Sequence, residues 1–358
     1  MINVIGNVFD SSGYSIHCRE LTNALSKQTE VSLTTGLVPN WERMVTDKEL
    51  EMIKKQDDGQ INLIITNPIF WKLHTNAKRN WAFLVWEGDK IPKSFINECV
   101  NPDIEFIFVP SNHTKEAIEN TSKDGDNPGE SWKLIRDKIK VMPHGVDLNK
   151  FYPKEREEKE TTTFLANKGF RNLEDRGGIQ YLLKAYLEEF TNEDKVELLI
   201  KINPAYGIPD LNKILKDLGY KEGGPSIRFD VGLYDYDKLI NFYKGDCFVS
   251  PTRAESFNLP CIEAMACGLP VITTNFGGQT DFCDNNTGKL ISGELTEIKH
   301  EIQYEGIKWI TPNIQELRDA LRDCHKNKKE WKLKGQNALE RSREYTWDKT
   351  AQKIIDLI

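Results

Sequence analysis

Two glutamates, Glu255 and Glu263, stand with seven residues between them in the run Ser250-Pro-Thr-Arg-Ala-Glu-Ser-Phe-Asn-Leu-Pro-Cys-Ile-Glu-Ala-Met-Ala-Cys-Gly-Leu-Pro270. The pattern predicts a buried strand ending at Ser250, then a loop, then a helix. Pro260 suits the first helical turn and Gly268 the left-handed position just past the helix end. Glu255 then lies in the loop and Glu263 about one turn inside the helix. Both can point into the crevice at the carboxyl ends of the strands, where open α/β sheets bind ligands. The backbone N–H groups of Ser256, Phe257, Asn258 and Leu259 would meet an anion at the positive end of the helix. Read alone, Glu263 also fits a first-turn acid that complements the helix dipole.

The order of strand, loop, two acids, helix and the following Gly-Leu-Pro-Val-Ile resembles the E-x7-E signature of retaining glycosyltransferases of family 4, which have the GT-B fold. The resemblance implies that Glu255 faces the transferred sugar and that Glu263 binds the donor ribose. A carboxylate facing two vicinal hydroxyls makes a bidentate, charge-assisted contact. It also implies cations for the leaving diphosphate in Asn167-Lys-Gly-Phe-Arg-Asn-Leu-Glu-Asp-Arg-Gly-Gly178, where the candidates are Lys168, Arg171 and Arg176. Arg176 fits best and Arg171 second, with Arg176 standing where the family usually has a lysine. Arginine grips phosphate bidentately, so the chemistry survives that change. Gly277 and Gly278, in Asn275-Phe-Gly-Gly-Gln-Thr-Asp281, look like the family's glycine pair and would admit the ligand close to the backbone; a plain turn is the other reading. Gly13, in Asp10-Ser-Ser-Gly-Tyr-Ser-Ile-His17, resembles the glycine loop that approaches the donor phosphate.

Trp81-Ala-Phe-Leu-Val-Trp-Glu-Gly-Asp-Lys-Ile-Pro92 departs from the pattern. Where many family members carry a histidine facing the sugar, this chain has Trp86-Glu87, with Asp89 just beyond. Glu87 or Asp89 is therefore expected to hold sugar or acceptor hydroxyls, or else to cap the following helix. His17 reads as an ordinary helix residue. Val141-Met-Pro-His-Gly-Val-Asp-Leu-Asn-Lys-Phe151 matches the family's crossover at the end of the first domain, so His144 and Asp147 take structural roles. Asp235-Tyr-Asp237 and Asp124-Gly-Asp126 have a spacing that can bind Mg²⁺ or Mn²⁺. Asp235 is better placed as a helix N-cap, and no catalytic metal or other cofactor is expected.

These residues need a scaffold, and the chain supplies one in an α/β fold. Short apolar runs alternate with helical patterns, which predicts parallel sheets covered by helices. The first set of strands is expected at Ile2–Val8, Ile61–Ile65, Trp81–Val85, Phe106–Val109 and Ile139–Met142. The second is expected at Thr162–Leu165, Val196–Ile202, Ile227–Val231, Cys247–Ser250 and Val271–Thr273. The charged stretch Pro153–Glu160 reads as a linker and the polar stretch Lys123–Glu130 as a loop. The expectation is two Rossmann-like, doubly wound domains facing across a cleft. Residues 1–152 form the acceptor side, residues 160–345 the donor side, and a helix within 346–358 returns to the first domain.

Length and composition agree. A chain of 358 residues suits two domains, and 39% hydrophobic with 29% charged residues suits a globular one. A net charge of −7 offers no bulk attraction for nucleic acid. Seven scattered cysteines show neither metal-ligand spacing nor an even number for a disulfide framework. Neither a leader pattern nor a spanning apolar run is read, so the cytoplasm is expected, with a peripheral membrane contact left open. The implied reaction is metal-independent transfer of a hexose from a UDP- or GDP-sugar, with retention, to a hydroxyl of a glycan, lipid-linked or protein acceptor. The alternatives are another GT-B enzyme (a nucleotide-sugar epimerase or a phosphorylase) and a non-catalytic sugar-nucleotide binding subunit.

Overall fold

The computed structural model describes residues 1–36, 45–124, 129–156, 159–172, 174–299 and 302–358. The chain divides into two compact units. The first comprises Met1–Gly145, Glu297–Lys308 and Tyr345–Ile358; the second comprises Val146–Thr296 and Trp309–Glu344. The first boundary thus falls at Gly145 rather than at residue 152. The segment Glu297–Lys308, expected in the second domain, clusters with the first unit, where Tyr304 and Ile307 are buried.

In the first unit six parallel strands form a sheet of order β2-β1-β3-β4-β5-β6: β1 (Ile2–Gly6), β2 (Val31–Thr34), β3 (Ile61–Ile65), β4 (Arg79–Phe83), β5 (Phe106–Val109) and β6 (Ile139–Val141). Strands β1 and β3 are buried along their whole length, which is why they read as unbroken apolar runs rather than alternating ones. The strand β2 escaped the sequence reading because Val31–Thr34 is short and alternates with polar residues. The helix Gly13–Leu25 starts where the Ser12 side chain accepts from the backbone N–H of Ser15. It buries Leu21, Ala24 and Leu25. The helix Trp347–Ile355 buries Trp347, Thr350, Ala351 and Ile354, one face at helical spacing, and packs on Gly13–Leu25. Inside this packing the rings of His17 and His144 lie 4.2 Å apart, with Phe83 4.3 Å from His17 and Trp347 5.5 Å from His144. Burial holds both imidazoles neutral, and it lowers His144 to about 3. Both histidines are core residues.

The second unit holds six parallel strands in the order β12-β11-β10-β7-β8-β9: β7 (Thr162–Lys168), β8 (Val196–Ile202), β9 (Ser226–Val231), β10 (Cys247–Ser250), β11 (Val271–Thr274) and β12 (Gly288–Ile291). A two-stranded sheet, β13 (Gly293–Glu297) with β14 (Lys308–Pro312), follows. Helices such as Ile179–Glu189 and Ile314–Lys326 cover a core that includes Phe164, Phe170, Tyr186, Leu198 and Leu321. The order reverses at β7. The chain runs outward through β8 and β9, then returns to lay β10 on the other side of β7. The loops after β7 and β10 therefore flank one crevice at the carboxyl edge, the topological switch point where such sheets bind ligands.

Candidate active site

Strand β7 carries Lys168 to its last position, and the loop after β10 carries Glu255. The Lys168 ammonium donates to Glu255 Oε1 at 2.8 Å and to Asn258 Oδ1 at 2.8 Å. Arg176, in the loop after β7, stands 3.7 Å from Glu255 Oε2 and donates to the Ala254 carbonyl at 3.2 Å. The Arg176 carbonyl accepts from the Arg253 N–H at 2.8 Å and from the Thr252 hydroxyl at 3.1 Å, so the two loops are stitched through their backbones. Burial pushes the Glu255 carboxyl up. The Lys168 and Arg176 charges, with hydrogen bonds from Lys168 and Thr252, outweigh it and hold the group below its ordinary value. Glu255 is therefore ionised near neutral pH. Two cations against one carboxylate leave this cluster net positive, which suits an anionic ligand.

Of the three cations proposed from sequence, the structure brings Lys168 and Arg176 to Glu255. Arg171, ranked above Lys168, instead points outward with its side chain 62% exposed and pairs with Asp175 at 3.9 Å. Lys168 wins because a strand end is fixed by its ladder, whereas Arg171 sits in the loop beyond.

Asn258 caps the helix Leu259–Ala266 in the left-handed region, at φ 78°, as the single non-glycine residue with positive φ among those described. Asparagine tolerates this conformation better than most residues, and strained backbone gathers at functional sites. Its side chain is clamped on both sides, accepting from Lys168 and donating to Ser250 Oγ at 3.2 Å. The neighbouring Phe257 side chain is buried against Phe282, with centroids 4.9 Å apart, so its ring belongs to the core and the contact expected of it is one of the backbone N–H. Ser256 and Leu259 are half-buried beside it.

Glu263 sits in the helix interior and accepts from the Tyr243 hydroxyl at 2.8 Å. Burial and the adjacent Glu263 charge both raise the Tyr243 phenol, keeping it a donor. Lys201, near the end of β8, is buried; burial lowers its ammonium, while the charges of Glu263 and Asp230 oppose that effect. Neither Tyr243 nor Lys201 was singled out from sequence. A lysine inside the otherwise apolar Val196–Ile202 was the available signal, since buried charges occur with partners.

The backbone around the glycine pair leaves no room for side chains. A Cβ on Gly278 would lie 1.9 Å from the Ser256 carbonyl oxygen, and Gly277 adopts φ 103° beside the Glu255 carbonyl. The Gly278 N–H donates to that carbonyl at 2.8 Å. The chain's own Glu255 loop, pressed against these residues, requires the glycines. Gly13 differs: the space above it is open.

In the first unit, β4 ends at Phe83, two residues before the expected Val85, so Glu87 lies in irregular backbone four residues beyond the strand. Glu87 accepts from the Tyr304 hydroxyl at 2.7 Å, and Asp89 accepts from the Lys308 N–H at 2.7 Å. Neither caps the helix Lys93–Cys99, whose N-cap is Pro92 without a side-chain bond. Asp235 caps the helix Tyr236–Phe242 by accepting from the Lys238 N–H at 2.8 Å. Asp124 pairs with Lys90 at 2.6 Å, and Asp126 lies outside the described residues.

With this geometry in place, the comparison with known families is decisive. The model of the family "Glycosyl transferases group 1" matches residues 154–332, half of the chain. The chain belongs to the glycosyl transferases group 1. This group 1 chain is 28% identical over 243 residues to a probable sucrose-phosphate synthase of Thermosipho melanesiensis, covering 63% of this chain and 48% of that protein. It is 25% identical over 260 residues to a D-inositol 3-phosphate glycosyltransferase of Paenarthrobacter aurescens, covering 67% and 56%. It thus spans about half the length of these curated relatives. Among solved structures, sucrose-phosphate synthase from Thermosynechococcus elongatus superposes with a TM-score of 0.71 at 17% identity, covering 99% of this chain and 97% of that one. Anabaena Alr3699/HepE, solved with UDP and glucose, superposes at 0.67 and 15% identity, covering 99% and 98%. These likenesses show the GT-B fold for the group 1 chain. Among its described residues, no helix is long and apolar enough to cross a membrane.

Proposed function

We propose that this chain is a retaining glycosyltransferase of family 4 that moves a hexose from a UDP- or GDP-sugar to an acceptor hydroxyl without a metal ion. The observation that carries the reading is Glu255 held between Lys168 and Arg176 at the switch point of the second sheet. A nucleoside diphosphate entering there exchanges part of the Lys168–Glu255 pairing for contacts with its own phosphates. Glu255 is then turned toward the sugar hydroxyls. Glu263, oriented by Tyr243, takes the ribose hydroxyls.

In the reaction the bond between the anomeric carbon and the β-phosphate oxygen breaks, with its electron pair going to that oxygen. The acceptor hydroxyl oxygen bonds to the same face of the carbon, and its proton passes to the departing phosphate. Lys168 and Arg176 stabilise the charge that grows on the leaving diphosphate, a preorganised electrostatic contribution made at the moment it is needed. Glu87, in the first unit, is assigned to the hydroxyls on the acceptor side. The Anabaena structure with UDP and glucose supports a nucleotide-sugar donor for a protein of this fold.

The test is a thermal-shift screen of UDP-, GDP- and ADP-sugars, followed by NMR of the product made from the best donor. A donor at a hundred times its Kd stabilises by about 2.7 kcal/mol, well within measurement. An α-linked product from an α-linked donor supports the proposal. An inverted product, or no stabilisation by any nucleotide, refutes it.

A further inference from the structure

Asn258 starts the helix Leu259–Ala266 at φ 78° and ψ 66°, in the left-handed region, where glycine sits without strain and a side chain does not. An asparagine at a helix start ordinarily caps it, accepting from a backbone N–H two or three residues on. Here no such bond is made. The amide instead bridges the ends of two neighbouring strands, in a residue only 3% exposed. Its oxygen accepts from the Lys168 ammonium, at the end of β7, at 2.8 Å. Its nitrogen donates to Ser250 Oγ, at the end of β10, at 3.2 Å. Lysine has donors only, so the chemistry of the pair fixes which end of the amide faces it. Backbone geometry and capping both fail to account for this side chain. Its contact with Lys168 does.

Among the described residues the Lys168 ammonium has two acceptors, Glu255 Oε1 and Asn258 Oδ1, each at 2.8 Å. They differ in charge and in anchorage. Glu255 is ionised and, in the function proposed above, turns to the sugar when a diphosphate enters. Asn258 is neutral and tied at its far end to Ser250. We propose that Asn258 is a positioning residue, which keeps the Lys168 ammonium in place when Glu255 releases it and leaves its positive charge uncancelled for the departing diphosphate. The inference rests on the donor reading of this crevice. A lysine on its flexible four-carbon stem, held by Glu255 alone, would follow the carboxylate as it moves. Held by the amide, it meets the growing phosphate charge without reorganising. A carboxylate in place of the amide would hold the ammonium too, but would cancel the charge the leaving group needs.

The test uses variants of the full chain and the nucleotide-sugar that best stabilises it. Asn258→Gly suits the left-handed backbone and removes only the amide. Its kcat for transfer should fall by roughly ten- to a hundredfold, the range for losing one hydrogen bond to a charged group. Donor affinity by calorimetry should change far less, because the contact matters most as leaving-group charge grows. Slow hydrolysis of the donor by water should fall by the same factor as transfer, since departure of the diphosphate is common to both. In a Lys168→Met background Asn258→Gly should have little further effect on kcat, because the amide acts through the ammonium. Asn258→Asp keeps the size and an oxygen toward Lys168 but adds a charge, and should weaken donor binding by about tenfold. Wild-type kcat in Asn258→Gly overturns the proposal. Losses that multiply fully with those of Lys168→Met overturn it too, by showing a merely structural role. Wild-type donor affinity in Asn258→Asp also overturns it, since a neutral contact is then not required. Failure of the underlying reading looks different. If the wild-type chain binds no nucleotide, or Lys168→Met transfers normally, the donor reading falls and the inference with it. If nucleotide binds and Lys168→Met is crippled while Asn258→Gly is unimpaired, the inference alone falls.

Discussion

Replacing Lys168 by methionine tests the centre of the second unit. The change keeps the length of the side chain and removes an ammonium that donates at 2.8 Å to both Glu255 and Asn258. Each charge-assisted bond is worth about 1.5–3 kcal/mol. The two are not additive, because Arg176 remains 3.7 Å from Glu255 and takes up part of its charge. A loss of about 2–4 kcal/mol follows, or roughly 5–15 °C in melting temperature for a unit of this size. The loss has a specific pH signature. In the wild type the Glu255 carboxyl is held below its ordinary value, so its pairing contributes stability above the unfolded pKa of about 4.3, lost as pH falls through the folded value. Without Lys168 the burial that opposes this becomes the stronger influence and the carboxyl rises. Protonation then relieves the variant before it reaches the wild type. The gap between the two proteins should be largest near pH 7.5 and narrower at pH 5. Urea unfolding at both values, followed by tryptophan fluorescence, reads the gap directly. A difference under about 0.5 kcal/mol, or one identical at the two pH values, would refute the view that Lys168 holds an ionised Glu255.

Glu255→Gln should chiefly lower turnover and Glu263→Gln chiefly weaken donor binding, each by about 1.5–3 kcal/mol; equal small effects in steady-state kinetics and calorimetry would remove that division of labour. The buried His17 and His144 bind protons less readily folded than unfolded, so stability present above about pH 6.5 is lost as pH falls toward their depressed folded values, at up to about 1.4 kcal/mol per pH unit for each. His17→Leu should flatten the decline between pH 6.5 and 5 in denaturant melts, and an unchanged slope would count against it. Gly278→Ala should cost more than about 3 kcal/mol or abolish soluble expression, because its Cβ would sit 1.9 Å from the Ser256 carbonyl oxygen, whereas Gly13→Ala, in open space, should melt within about 1 kcal/mol of wild type. Transfer should persist in EDTA, and a complete loss reversed by Mn²⁺ would return Asp235 and Asp237 to consideration.

Much of the fold was legible because parallel strands buried on both faces leave uninterrupted apolar runs. Ile61–Ile65, Phe106–Val109, Val196–Ile202 and Cys247–Ser250 appear in the structure within the bounds read from sequence. The omissions share a cause. Val31–Thr34 alternates apolar and polar over only four residues, too few to stand out, while Gly288–Ile291 and Gly293–Glu297 begin with glycine and mix charge into the strand, so neither apolar continuity nor a sustained alternation marks them. The helix Ile314–Lys326 buries only Leu317, Ala320, Leu321 and Cys324 among many charges, a face visible at helical spacing but overshadowed by its polarity. At the site, both glutamates and all three candidate cations could be named, but the order that put Arg171 above Lys168 is reversed by the contacts, because spacing along the chain does not say which cation the fold turns to Glu255.

What the residue order determined by itself was the local grammar. Pro260 and Gly268 bound the helix that carries Glu263, Asp235 caps its own helix, and the Glu255 loop follows a strand. These features depend on neighbours a few positions apart, which any reader of the chain can see. What only the tertiary structure decided was which distant groups meet. Lys168 and Glu255 are 87 positions apart, and they face each other because the sheet places β10 beside β7 and not beside β9. Tyr304 reaches Glu87 across 217 positions because Ile307 seats its segment over Gly88. A hydrogen bond is decided by fractions of an ångström, and no spacing along the chain encodes that distance until strand order and packing have been chosen.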